Sequence, residues 1–202
     1  MKKYSSLSLS RYLAELSSNK PIPGGGSVSA YVASLGMGLA EMVAGIGMKK
    51  VNSESKPILR RAVQILRKAR KDALQVVDLD PQVYQTVLKS YKQAKTISDP
   101  IKKERVVEEA LENSFRLQAD LALLITMAKK AAESLEEIIR GSIQNDLLVS
   151  SALLDAAFHG AYETARINVV YLKNPERKAR AEQALKELQR GFGSQGVSQS
   201  EN

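Results

Sequence analysis

The chain has 202 residues, no cysteine, no tryptophan and a net charge of +8, from 30 Lys and Arg against 22 Asp and Glu. That length suits one domain with room for a substantial core, and the lack of cysteine excludes a disulfide framework, thiolate metal sites and thiol nucleophiles. The positive balance suits nucleic acid, an anionic membrane or a polyanionic small molecule, but the basic residues of 60–71 alternate with helically spaced apolar ones, as on a solvated helix face, and no zinc-finger, RRM or KH signature accompanies them.

The start is basic, but Arg11 and Glu15 interrupt it before a signal-like apolar core can form. Leu9, Tyr12, Leu13 and Leu16 mark a short first helix that ends near Asn19, ahead of Pro21. Next comes Pro21-Ile22-Pro23-Gly24-Gly25-Gly26-Ser27. The prolines fix their own φ, while the glycines let another group approach the main chain closely. A helix starting at Gly26 or Ser27 would aim its first unpaired N–H groups at an anion; a tight turn with a capped helix is the plainer alternative. From 27 to about 50 small residues recur every fourth position, Ala30/Ser34/Gly38 and Gly36/Ala40/Ala44, as in a central helix closely approached by its neighbours or one at a subunit interface. Its polar, glycine-rich beginning and Glu41 argue against a membrane span.

After a polar break at 52–56 an apolar stripe runs from Ile58 to Val77, Pro81 interrupts or restarts the helix, and Val83, Tyr84, Val87, Leu88 and Tyr91 continue the pattern. Asp99-Pro100 pairs an N-cap with proline at the first helical position. Residues 101–139 then suit one bent helix or two, with Gly141 as the stop, and a further helix follows over 145–172. Asn174-Pro175 opens a charged helix to about 190, and 191–202 read as a disordered tail. With no hairpin punctuation, the expected architecture is all-α: one domain over 1–190, a bundle of long helices around a buried small-residue helix.

Several polar residues admit two readings. Asp146, beside Asn145 at a helix start, either caps that helix or faces a cleft as a catalytic carboxylate. Asp80 beside Pro81 is either a helix cap or part of a site, and Asn168 either bridges helices or binds a ligand. Lys49 and Lys50 suit a helix C-terminus or an anionic ligand. Glu41 needs water or charged partners. His159, the sole histidine, has no metal-ligand spacing around it and reads as structural, so no metal is expected. P-loop, dinucleotide and Gly-x-Ser-x-Gly fingerprints are absent.

The run from Lys20 to Ser27, followed by Leu39-Ala40-Glu41-Met42-Val43-Ala44, resembles the opening of the formiminotransferase-cyclodeaminase C-terminal family, whose stand-alone bacterial members include methenyltetrahydrofolate cyclohydrolases. Lys49-Lys50, Asp80-Pro81-Gln82-Val83-Tyr84, Gln144-Asn145-Asp146 and Ile167-Asn168-Val169 resemble its later motifs. The chain departs from the family pattern at Ser142, where asparagine is common, and after Val169, where Val170-Tyr171 replaces a second asparagine. The lack of cysteine suits a cytoplasmic protein, and the resemblance implies an all-helical homodimer that needs no cofactor and acts on a tetrahydrofolate derivative as substrate. It also implies substrate binding by Pro23, Gly24, Gly25, Gly26, Ser27, Lys49, Lys50, Asp80 and Asn168, with the lysines on the glutamate tail and Asp146 as the catalytic carboxylate. The reaction would be hydrolysis of 5,10-methenyltetrahydrofolate or cyclisation of 5-formiminotetrahydrofolate with loss of ammonia. The alternative is a non-catalytic helical dimer that binds folate or another anion, or serves as an assembly partner. No nucleic-acid or membrane partner is expected.

Overall fold

A computed structural model describes residues 2–193. The described residues form a short 3-10 turn (Tyr4–Ser6) and six α-helices: α1 (Leu9–Leu16), α2 (Gly25–Gly47), α3 (Lys56–Ala94), α4 (Pro100–Glu136), α5 (Gln144–Val170) and α6 (Pro175–Gly193). No strand occurs among them, so the chain is all-α as expected.

Helices α2 to α5 form an up-down-up-down bundle in which α2 and α4 each pack on both α3 and α5. Antiparallel pairing of α2 and α5 shows in Ser150, whose hydroxyl donates to Gly36 O (2.8 Å), and in Gly160, where a Cβ would strike the Ser29 side chain. The small residues of α2 permit this approach: Ala30, Ala33, Met37, Ala40, Val43 and Ala44 are fully buried, and a Cβ on Gly36 would press on Leu154 at 3.1 Å. By length and composition α2 could cross a membrane, but half of its most apolar window is buried within the bundle. Glu41 turns toward α3, where Arg67 Nε (2.7 Å) and Arg70 Nε (3.0 Å) donate to its two oxygens. Burial alone would raise its pKa, and the two guanidinium groups together hold it below the ordinary glutamate value.

Two points differ from the sequence reading, and a third settles between its alternatives. Pro81 does not interrupt α3; it lies fully buried inside a continuous helix. Residues 100–136 form one helix rather than two, capped by Asp99, which accepts from Ile101 N (2.9 Å) and Lys102 N (3.3 Å). Helix α6 runs through Gly193 because Phe192 stacks on Phe158, with centroids 3.7 Å apart and planes within 4°. Of the expected tail, 194–202 lie outside the described residues. His159 packs edge-on against Phe158 and Phe192.

Candidate functional site

The Ile22–Pro23 peptide is cis and α2 starts at once, with extended Gly24 as N-cap. Of the first amides of α2, Ser27 N–H donates to Asp80 Oδ2 (3.0 Å). The amides of Gly25 and Gly26 find no acceptor among the described residues, as a helix N-terminus leaves them. Asp80 thus caps a helix, but it is α2 and not its own. Gly26 is required by this approach: a Cβ there would lie 2.8 Å from Asp80 Cγ and closer still to Asp80 Oδ1 and Gln118 Nε2.

Pro81 explains the arrangement behind it. A proline inside a helix supplies no N–H to the carbonyl four residues earlier; here that carbonyl is Val77, and Ser27 Oγ donates to it (3.0 Å). Tyr12 Oη also meets Ser27 Oγ (3.1 Å) and stacks on Tyr31 at 4.9 Å. Ser27 is therefore buried, with amide and hydroxyl both committed within the protein. It holds α2 against α3 instead of lining a ligand cleft. Pro23 is likewise buried behind the loop.

Gln118 of α4, fully buried, donates from Nε2 to Asp80 Oδ1 (2.8 Å). Its Oε1 is buried with no hydrogen-bond partner, a costly state for a polar atom. Burial raises the Asp80 pKa, and the bonds from Ser27 N–H and Gln118 only partly offset it. A half-turn of the Gln118 amide would present Oε1 to a protonated Oδ1, so the side chain can pair with either form of Asp80. Sequence reading missed Gln118, although the pattern held a signal. It occupies one line with Leu111, Phe115, Ala122 and Ile125, a polar residue on the buried stripe of α4.

Asp80 opens onto a cleft of about 520 Å³ bounded by Pro21, Ile22 and Gly24 to Gly26 on one side. Tyr84, Leu88 and Tyr91 of α3 and Thr164, Ile167, Asn168 and Tyr171 at the end of α5 form much of the rest. Asn168 donates from Nδ2 to Thr164 O (2.7 Å), leaving Oδ1 as its available acceptor. The structure thus brings together Gly24, Gly25, Gly26, Asp80 and Asn168. It does not bring the remaining expected residues to them within one chain. Asp146 lies in the first turn of α5, 22 residues and about 33 Å of helix from Asn168. No side-chain cap marks that helix start, so the capping reading is not met either. Lys49 and Lys50 are exposed beyond the C-terminus of α2, about 36 Å of helical rise from Gly25. Lys49 borders the open face of α2, and Lys50 a separate hollow beside Ile139 and Ile143.

A carboxylate whose pKa burial raises, beside two unpaired amides and under an aromatic wall, can exchange a proton with a bound polar ring while the amides stabilise developing negative charge. The fold is that of an all-α domain built on a four-helix bundle, with a cleft at one end centred on a partly buried carboxylate. A family model described as Formiminotransferase-cyclodeaminase matches residues 8–187, and the chain belongs to this family. Formimidoyltransferase-cyclodeaminase of Gallus gallus is 27% identical over 184 residues, which span 89% of this chain and 34% of that protein. The Sus scrofa protein of the same name is 26% identical over 182 residues, with the same shares. The chain therefore spans about a third of the length of these curated relatives. The structure of formiminotetrahydrofolate cyclodeaminase from Thermotoga maritima superposes with a TM-score of 0.84 at 24% identity, over 94% of this chain and 91% of that one, a likeness of fold.

Proposed function

We propose that the chain is a cytosolic enzyme of folate one-carbon chemistry. It cyclises 5-formiminotetrahydrofolate with release of ammonia, or hydrolyses 5,10-methenyltetrahydrofolate, without a bound cofactor. The observation that carries the reading is Asp80, a partly buried carboxylate of raised pKa that faces an aromatic-walled cleft beside the free amides of Gly25 and Gly26. Both reactions pass through a tetrahedral carbon between N5 and N10 of the folate. In the cyclisation, N10 attacks the formimino carbon and Asp80 carries the N10 proton to the departing nitrogen. A second proton from solvent completes ammonia, and the methenyl bridge remains. In the hydrolysis, water attacks the methenyl carbon and Asp80 takes its proton, then returns it to N5 as the C–N5 bond breaks; the remaining hydroxyl proton goes to solvent and the 10-formyl compound is left. Asp80, placed in the cleft, replaces Asp146 as the proposed proton carrier.

Dimerisation is proposed from α2. Leu35, Met42 and Ile46 are exposed and, with Leu39, follow a 4-3-4 spacing along one face. That is the spacing of a two-helix seam, and a twofold axis would set the same face of a second copy against it. Sedimentation of wild type and Met42→Glu tests this; a wild-type monomer at micromolar concentration would remove the proposal.

Activity is tested with both substrates, following methenyl absorbance and ammonia release separately. Ammonia formed from the formimino compound supports cyclisation, and enzyme-dependent loss of methenyl absorbance supports hydrolysis. Calorimetric binding of reduced folates without either turnover would select the non-catalytic alternative.

A further inference from the structure

Three neighbouring positions of α3 are gripped from the N-terminal part of the chain. Val77 O and Asp80 Oδ2 accept from the hydroxyl and the amide of Ser27, each at 3.0 Å. Asp78, between them, holds a different segment: Ser5 donates its amide to Asp78 Oδ1 (3.0 Å) and its hydroxyl to Asp78 Oδ2 (2.6 Å).

Tyr12 of α1 stands between these grips and is 3% exposed. A serine hydroxyl has one proton to give, and that of Ser27 goes to Val77 O. Tyr12 Oη is therefore the donor in its 3.1 Å contact with Ser27 Oγ. Burial pushes the Tyr12 phenol up against the opposing pull of the Ser27 bond, with Asp80, Tyr31 and Tyr4 adding to the rise, so the donor proton stays in place. Tyr12 is not among the residues that bound the cleft, yet it stands one hydrogen bond from the serine that holds Asp80.

Helix α1 has only eight residues, and its Leu9 and Leu13 are exposed, so few groups hold Tyr12 where it is. Two rings do so: Tyr31 stacks on it at 4.9 Å, and Tyr4 meets it edge-on at 6.5 Å with the planes at 87°. Tyr4 is itself buried, with the Lys2 ammonium 5.6 Å from its ring centroid, and Lys2 pairs with Glu15 of α1 at 2.6 Å. Residues 2–7 thus strap α1 to α3, anchored on α3 two residues before Asp80.

We propose that Tyr12 is a positioning residue for Asp80: it fixes Ser27, whose amide aims the carboxylate, and the strap of residues 2–7 holds Tyr12 in place through Tyr4. The assignment rests on the reading of Asp80 as the proton carrier. Ser27 Oγ, bonded to Val77 O and to Tyr12 Oη, is confined to one rotamer, which pins the first turn of α2 against α3. Without the phenol donor that turn is held by the Val77 bond alone. A misplacement of about 1 Å at a reacting group costs on the order of 10²-fold in rate.

The test begins with Tyr12→Phe in the full chain, which keeps the ring and removes the donor. Its kcat is expected to fall at least tenfold with KM within twofold of wild type. Amide exchange at Ser27 should quicken at least tenfold relative to amides in the middle of α4. The Asp80 carboxyl, titrated by NMR, should move to higher pH, because the Ser27 N–H bond that lowers its pKa is loosened. Tyr4→Ala should reproduce this pattern, and Tyr4→Phe, which keeps the edge contact, should match wild type. A Tyr12 with a structural role alone would lower the melting temperature and leave Ser27 exchange and the Asp80 titration unchanged. That result, or full kcat in Tyr12→Phe, would overturn the proposal, and wild-type behaviour of Tyr4→Ala would overturn the part given to the strap. If the wild-type protein turns over no folate, exchange and titration still decide the positioning, and only the catalytic reading falls.

Discussion

Ser27 donates its hydroxyl to the Val77 carbonyl oxygen at 3.0 Å, the carbonyl that Pro81 leaves without a helical donor. One side chain of α2 thus completes the hydrogen bonding of α3 at its proline, and its own amide, 3.0 Å from Asp80 Oδ2, holds the carboxylate one residue before that proline. Ser27→Ala leaves Val77 O buried without that donor, which costs about 1–3 kcal/mol. For a chain of this size the melting temperature should fall by roughly 2–4 °C per kcal/mol. An unchanged melt would mean that water or Tyr12 satisfies the carbonyl instead.

Asp80→Asn should lower kcat by about 10²–10⁴-fold, the usual contribution of a positioned acid-base group. The fold should be retained, because Gln118 can turn its unpartnered Oε1 toward the new amide. Asp146→Ala, at the opposite end of the bundle, should retain turnover. Loss of activity in Asp146→Ala with full activity in Asp80→Asn would reverse the assignment.

The pH dependence has a definite sign. A general base must be ionised, so kcat/KM should rise through a pKa above the ~3.9 of an unperturbed aspartate, in the direction that burial moves Asp80. The Gln118 hydrogen bond lowers that pKa, so Gln118→Met should move the acid limb to higher pH. A carboxyl NMR titration of Asp80 checks this without turnover. Stability follows the same group. With its folded pKa above its unfolded value, Asp80 contributes stability present below ~3.9 and lost as pH rises through the raised pKa. Asp80→Asn should flatten that part of the stability curve in urea titrations.

Gly26→Ala places a methyl group against Asp80 and Gln118. Turnover should fall at least tenfold while α-helical content is retained, since Ala suits a helix interior. Full activity would show that the carboxylate can shift without consequence.

Glu41 is held by Arg67 and Arg70 across α2 and α3. Glu41→Gln should cost about 1 kcal/mol at pH 7, the upper range for a partly exposed pair. The cost should vanish on acidification, because a carboxylate with lowered pKa loses its contribution as pH falls through the folded value. Denaturation at pH 7 and pH 3 measures the difference.

Helices and their order were legible because their signals are local: 3.6-residue apolar periodicity, Asp99-Pro100 and Asn174-Pro175 at helix starts, and glycine near the ends. The glycine loop was legible for the same reason. Pro81 misled because the bond that keeps α3 continuous comes from Ser27, 50 residues earlier in the chain. Asp80 was a candidate by motif, but its partner Gln118 is 38 residues away and can be recognised as buried only when α3 and α4 pack. The likeness of Gln144-Asn145-Asp146 to a family motif located a helix start correctly and said nothing of which end of the bundle that start would occupy.

Gly26, Asp80, Gln118 and Asn168 come one each from α2, α3, α4 and α5. Detaching any one of these helices therefore removes a wall or a partner of the carboxylate, so local opening cannot leave the constellation assembled. In a denaturant titration, loss of activity should coincide with loss of helical signal, with no folded but inactive population between them. Catalytic competence would then serve as a direct gauge of the cooperative integrity of the whole bundle.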